Sequence, residues 1–278
     1  QQQSDPAKKH PEESAMFSID HDYHIHTHLS TCSGDPEQTV ENITRFARQN
    51  GMHTICITDH LWDDSVPGAS AWYRPQNIAH IQQSLPLPKG ENPRVLFGCE
   101  TEYLGGTKLG LSPEHFDLFD FIIVPLNHFH MVDFVRPSSY DTPEKIADLL
   151  LTRMEEVAKL PLPWHKIGIA HPTCSLVFRE GNEADVYRAM DPERLASAMK
   201  TFADKGAGIE LNSSSFSGNW RQHENEHLKI YRAARDTGCK FYCGSDSHKP
   251  KALSRTFRNL PVVIELLGLK DEHVFHIA

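Results

Sequence analysis

Residues 22–32 read DYHIHTHLSTC, with histidines at positions 24, 26 and 28 following a short run of extended character. Alternate side chains of a strand share a face, so His24, His26 and His28 project together for as long as the extended geometry lasts. Such a face gathers imidazole nitrogens for a metal, and it equally describes the polar side of an edge strand. The deciding question is whether other strands end in residues of the same kind.

Working outward, short apolar runs alternate with longer amphipathic stretches from Phe17 onward. The strands are expected at 18–24, 53–59, 95–103, 121–124, 167–170, 208–212 and 241–244. Helices are expected at 36–49, 142–159, 191–205 and 224–236, where apolar residues recur at three and four spacing. Asp141 and Thr142 precede Pro143, and Asp191 precedes Pro192, an N-cap followed by proline in the first turn. Gly51, Gly206 and Gly238 stand where a helix ends in a left-handed residue. Beyond Pro250, the run VVIELLGL reads as a final helix and tail. This order predicts an α/β fold, a (β/α) barrel of seven strands in one domain over 17–278. Residues 1–16 are polar and read as a disordered leader, an expression remnant or the start of a processed chain.

Composition narrows the function. With 39% hydrophobic and 23% charged residues the chain is of globular type, and no run approaches the roughly 20 apolar residues that span a bilayer. A net charge of -9 argues against a nucleic-acid partner, because phosphate backbones are held by clustered Lys and Arg. No membrane partner is expected either. Six cysteines without a CxxC pair read as reduced thiols of a cytoplasmic protein, with Cys56, Cys99 and Cys243 in the core. The unusual figure is 18 His against 28 Lys and Arg together.

The long connections, 61–87, 105–119, 127–140 and 172–187, each follow the C-terminal end of an expected strand, the end that carries the active site in parallel barrels. The same ends carry the ionisable residues. In chain order they are His24 and His26; Asp59 and His60 in ITDH; Glu100 and Glu102 in GCETE; His128 and His130 in LNHFH; His171 in IAHP; Glu210 and Asn212 in IELNSS; and Asp246 and His248 in CGSDSH. Any one of them has an ordinary structural alternative, such as capping a loop or pairing across the barrel. Together, burying so many such groups is costly unless cations compensate them.

The motifs HIHT, ITDH, GCE, NH, AHP and SDSH, in this order from Ser18 to about Pro250, resemble the PHP family of metal-dependent phosphoesterases, in particular its histidinol-phosphatase-like branch. The resemblance implies a distorted seven-stranded barrel with two or three divalent ions, Zn, Mn or Fe. It assigns His24, His26, Glu100 and Asp246 to one metal; Glu100, as a bridge, with His128 and His171 to a second; and His60 and His248 to a third. Where many relatives place another His at the third site this chain has Cys32, with Asp35 and His28 as alternatives in the same loop; His28 reads rather as a loop residue at the pocket edge. Arg179 resembles a phosphate-binding Arg of that branch, and Lys249 follows His248. His130, beside His128, reads either as the group that protonates a leaving group or as a support behind the metal ligands. Glu210 and Asn212 are expected to orient ligands or to floor the pocket, and one or two of Trp62, Trp72, Tyr73 and Trp220 to wall it.

The implied reaction is hydrolysis of a small phosphorylated metabolite, L-histidinol phosphate as leading candidate and so a link to histidine biosynthesis, by attack of a hydroxide shared between two cations. Two alternatives stay open: a hydrolase of amide-type substrates using the same metals, and a non-catalytic metal-binding barrel. Oligomeric state has no readable signal.

Overall fold

The computed structural model describes residues 15–277. The expected leader therefore lies outside the described residues, except for Ala15, whose carbonyl accepts from Asp271 N at 3.0 Å, and Met16, which bridges to Lys270.

Among the described residues ten strands form: β1 (His21–Ile25), β2 (Thr54–Ile57), β3 (His60–Leu61), β4 (Arg94–Thr101), β5 (Tyr103–Gly105), β6 (Lys108–Leu109), β7 (Phe121–Val124), β8 (Ile167–Ile169), β9 (Gly208–Asn212) and β10 (Lys240–Gly244). The seven expected runs are all present, as β1, β2, β4, β7, β8, β9 and β10. They pair in that order and in parallel. The short β3 adds to β4, opposing His60 to Glu100, and β5 and β6 form a separate hairpin. The helices are α1 (Val40–Gln49), α2 (Ile78–Ile81), α3 (Pro143–Val157), α4 (Glu183–Ala189), α5 (Pro192–Lys205), α6 (Glu224–Asp236) and α7 (Arg255–Leu267). Thr142 and Asp191 cap α3 and α5 by accepting from Lys145 N and Arg194 N, and Gly51, Gly206 and Gly238 adopt positive φ after their helices. Helix α1 starts later than expected, because the side chain of Thr39, not of a residue near Pro36, receives the first free N–H. No helix among the described residues is long and apolar enough to cross a membrane.

The ring closes between β1 and β10 by an unusual seam. At the upper end backbone groups meet: Asp246 N donates to His24 O at 2.8 Å and His26 N to Ser247 O at 3.0 Å. Lower down side chains replace them, with Cys243 N donating to His21 Nε2 at 3.0 Å and Ser245 N to Asp22 Oδ1 at 2.9 Å. That replacement is the distortion of the barrel. The β1–β2 register also slips between Asp22 and Ile25. Across this bulge Tyr23 joins the barrel interior, while His24 and His26 stay together at the upper rim.

The interior is filled by rings. Tyr23, Phe121, Tyr242 and Phe275 meet in stacked, edge-on and tilted pairs, with centroids 5.1 to 6.2 Å apart. Gly168 on β8 makes room for them, since a Cβ there would lie 2.5 Å from Phe121 Cζ and 2.6 Å from Tyr242 Oη. Phe275 arrives from the C-terminal tail, where its N–H donates to Phe241 O at 2.7 Å. The barrel is thus plugged at its lower end, and the helices cover its outside with a larger apolar cluster.

Candidate metal centre

At the upper rim the structure brings together His24, His26, His60, Glu100, His128, His171, Asp246 and His248. Among the described residues, three sets of side-chain donor atoms lie within 4.8 Å of one another: His24, His26 and Glu100; Glu100, His128 and His171; and His26, His60 and His248. Glu100 on β4 is central. Its Oε2 lies 3.4 Å from His24 Nε2, 3.3 Å from His26 Nε2 and 3.0 Å from His60 Nδ1, while its Oε1 is 3.2 Å from His171 Nε2 and 3.9 Å from His128 Nε2. Asp246 Oδ1 stands 3.6 and 3.4 Å from the Nε2 atoms of His24 and His26, and 3.5 Å from His248 Nδ1.

The local backbone is shaped to aim these groups. His171 and Asp246 have φ of 23° and 50°, in the region non-glycine residues avoid. Gly244 leaves room beside His24: a Cβ there would collide with the Glu210 carboxylate and approach His24 Cβ to 2.9 Å.

Hydrogen bonds fix which ring nitrogen faces the shared space. His24 Nδ1 donates to Glu210 Oε1 at 2.8 Å, and His128 Nδ1 to Glu102 Oε2 at 2.7 Å. Ser30 spends its hydroxyl proton on Asp59, so His26 Nδ1 must donate to Ser30 Oγ, at 3.0 Å. Asn127 Nδ2 donates to His171 O, which leaves Asn127 Oδ1 to accept from His171 Nδ1, also at 3.0 Å. His248 Nδ1 donates to a carbonyl, that of Asp246. In each ring Nε2 then offers a lone pair. The Nε2 atoms of His24 and His26 are only 3.0 Å apart, and His60 Nδ1 is buried without a hydrogen bond although 3.0 Å from Glu100. Lone pairs converging in this way fit a cation between them.

Electrostatics agree. Burial disfavours the charged form of His24, yet Glu210, Asp246 and Glu100 hold its pKa well above the usual imidazole value. Burial likewise opposes ionisation of Glu100 and Asp246, but the surrounding histidines keep both well below the carboxylate range. The cluster demands positive charge, as protons or as metal.

Above the cluster lies a cavity of ≈ 540 Å³, walled by Trp72 and Tyr73, by His130 and Met131, and by the 174–179 segment with Arg179. Arg179 is exposed, and the neighbouring Glu180 is turned to Arg136 at 2.5 Å. His130 lines the wall with a buried, unpartnered Nδ1; burial, His128 and Arg179 push its pKa down to about 4. Cys32, an exposed residue, also lines the cavity but belongs to none of the three donor sets, and partial desolvation of its sulfur with the nearby Glu100 and Asp246 charges raises its thiol to about 12. His28 is exposed against Gln38 O and lines a different cleft, and Asp35 accepts from Glu37 N. Of the expected rim aromatics, Trp72 and Tyr73 reach the cavity, whereas Trp62 and Trp220 are buried elsewhere. The 105–119 connection lines none of it.

Of its two expected roles, Glu210 takes that of orienting a ligand-type side chain. Besides anchoring His24 it accepts from His171 N at 2.5 Å, and Asn212 Nδ2 reaches both Glu210 and Asp246. Sequence reading passes over Ser30, and over Asn127 although it stands in the NH motif, because their partners are brought to them only by closure of the barrel.

A parallel seven-stranded barrel with histidines and carboxylates converging at the C-terminal rim defines an α/β barrel with a candidate multi-metal centre. Residues 22–214 match the PHP domain, and the chain belongs to that family. Its relatives include a probable phosphatase of Acetivibrio thermocellus, 28% identical over 82% of this chain and 78% of its own, and a probable phosphatase of Thermoanaerobacter sp. (strain X514), 25% identical over 90% and 88%. A probable histidinol-phosphatase of Deinococcus radiodurans is 23% identical over 89% and 93%. Among solved structures, the histidinol phosphate phosphatase of Lactococcus lactis in complex with zinc, L-histidinol and phosphate shares the fold with a TM-score of 0.52 and 16% identity, covering 92% of this chain and 98% of that one. The putative histidinol phosphatase of Listeria monocytogenes does so with a TM-score of 0.57 and 16% identity over 86% and 98%.

Proposed function

We propose that the protein is a metal-dependent phosphomonoesterase acting on a small phosphorylated metabolite, with L-histidinol phosphate as the leading candidate. The observation that carries this reading is the convergence of imidazole nitrogens on the shared carboxylate Glu100, beneath a cavity that Arg179 enters without a carboxylate partner among the described residues. His24, His26, Glu100 and Asp246 would hold one ion, Glu100, His128 and His171 a second, and His60 and His248, with His26 beside them, a third. Bound divalent ions supply a water that ionises near neutral pH and positive charge for the phosphoryl oxygens.

The chain's own groups do the rest. The Arg179 guanidinium offers paired donors to a phosphate. Trp72 and Met131 exclude water around the ester. In hydrolysis a water oxygen bonds to phosphorus, the ester P–O bond breaks, and the departing alkoxide needs a proton. His130 would give that proton: burial, His128 and Arg179 keep the free imidazole neutral, and an arriving phosphate dianion would offset the positive part of those surroundings and favour its protonation.

The test combines metal analysis with a phosphate-release screen on one preparation, using p-nitrophenyl phosphate, L-histidinol phosphate and sugar and nucleotide phosphates with Mn²⁺ or Zn²⁺. At least two equivalents of metal and release from a monoester are expected. Hydrolysis of a cyclic amide and of no phosphate ester would turn the reading toward an amide hydrolase; bound metal with no turnover would leave a non-catalytic barrel.

A further inference from the structure

Of the five rings of the cluster fixed through Nδ1, four rest on side chains, but not alike. His26 and His171 rest on the neutral Ser30 Oγ and Asn127 Oδ1, whereas His24 and His128 rest on carboxylates. Glu210, under His24, is shared with His171 N and Asn212 Nδ2. Glu102 has a narrower set of partners. Its Oε2 accepts from His128 Nδ1 at 2.7 Å and from Tyr73 Oη at 2.8 Å, while Oε1 is buried with no partner. Glu102 and Tyr73 are both fully enclosed, at 0% exposure. A buried carboxylate with one oxygen left empty is expensive to fold around unless nearby positive charge offsets it. The His128 ring links Glu102 directly to the donor set of Glu100, His128 and His171.

We infer that Glu102 is a positioning residue, locked by Tyr73, whose negative charge makes His128 a stronger donor to a cation at the Glu100–His128–His171 set. A carboxylate that accepts the Nδ1 proton fixes the tautomer and raises electron density at Nε2. Tyr73 extends the control outward. It lies on the 61–87 connection beside Trp72, which meets His60 edge-on at 5.0 Å and walls the cavity, so the wall and the metal ligand are tied by one hydrogen-bonded chain. This inference rests on the metal-centre reading and not on the identity of the substrate.

The experiment titrates metal-free wild type and Glu102→Gln with Mn²⁺ or Zn²⁺ against a chromophoric chelator, with the thermal midpoint of each metal-free protein recorded alongside. Glutamine keeps an acceptor for His128 and loses only the charge. One class of sites is expected to weaken about 10- to 100-fold, the others to hold, and the metal-free midpoint not to fall. Unchanged affinities would overturn the inference, as would a uniform loss at every site with a lowered midpoint, which marks a merely structural residue. If Glu102→Gln does not fold, Tyr73→Phe carries the test: the same class should weaken by a smaller factor, and wild-type affinity would overturn the inference. A wild-type protein that takes up no metal removes the metal-centre reading along with it.

Discussion

At the scale of single residues, charge is the main currency of this protein. Arg179 stands in the cavity wall with Glu180 diverted to Arg136, so its donors are available to an anion. Arg179→Ala should lower kcat/KM about 10- to 100-fold for every phosphate ester, with Arg179→Lys recovering part, because a point charge replaces a forked donor. Equal kinetics in steady-state assays would remove Arg179 from the site. Asp22 in the seam makes a second case. Burial raises its carboxyl from the ordinary 3.8 to about 7, against hydrogen bonds from Ser245 and His24 N. The folded protein therefore holds this proton more tightly than the unfolded chain does. Its contribution to stability is fully present below about pH 4 and is lost as pH rises through about 7. Asp22→Asn keeps an oxygen for both N–H groups and never ionises. In the metal-free protein its thermal midpoint should gain on wild type progressively between pH 5 and 8, and a constant offset across that range would refute the assignment.

At the scale of elements, strand ends place the ligands and small residues admit them. Gly244 closes β10 with no space for a Cβ next to Glu210 and His24. Gly244→Ala should cost about 1–3 kcal/mol in chemical denaturation through overpacking and, by displacing Glu210, reduce the metal retained after dialysis. Wild-type metal retention would mean that the Glu210 anchor is dispensable. The elements themselves were largely legible beforehand. The Thr142-Pro143 and Asp191-Pro192 pairs start α3 and α5 as expected, and every barrel strand appears, with boundaries shifted by a few residues. The short β3, the β5–β6 hairpin and the bulge in β1 were not legible. Each depends on a neighbour distant in sequence: β3 exists by pairing His60 with Glu100, and the bulge by fitting Tyr23 beneath His24. Of the four rim aromatics, of which one or two were expected at the pocket, Trp72 and Tyr73 reach it, while Trp62 and Trp220 fold inward; which of them would do so has no local signal.

At the scale of the whole molecule, the tail and the first strand complete one closed ring. Phe275, 5% exposed among the interior rings, fixes the lower end of the barrel from the last residues described. Phe275→Ala should destabilise the fold by about 3–5 kcal/mol, read as a shift in urea midpoint at constant slope, and a change under about 1 kcal/mol would show that the plug is incidental. By itself the sequence determined the order of strands and helices, the single barrel and the ends at which ligand-type residues cluster, because periodicity, caps and turn residues are local properties. Only the tertiary structure decided which nitrogen of each histidine faces the centre, that Ser30, Asn127 and Glu102 hold such rings and which ring Glu210 holds, and that Cys32 stands on the wall outside the three donor sets. Those outcomes depend on distances between side chains far apart in the chain, which are set when the seam between β1 and β10 closes and have no counterpart in local pattern.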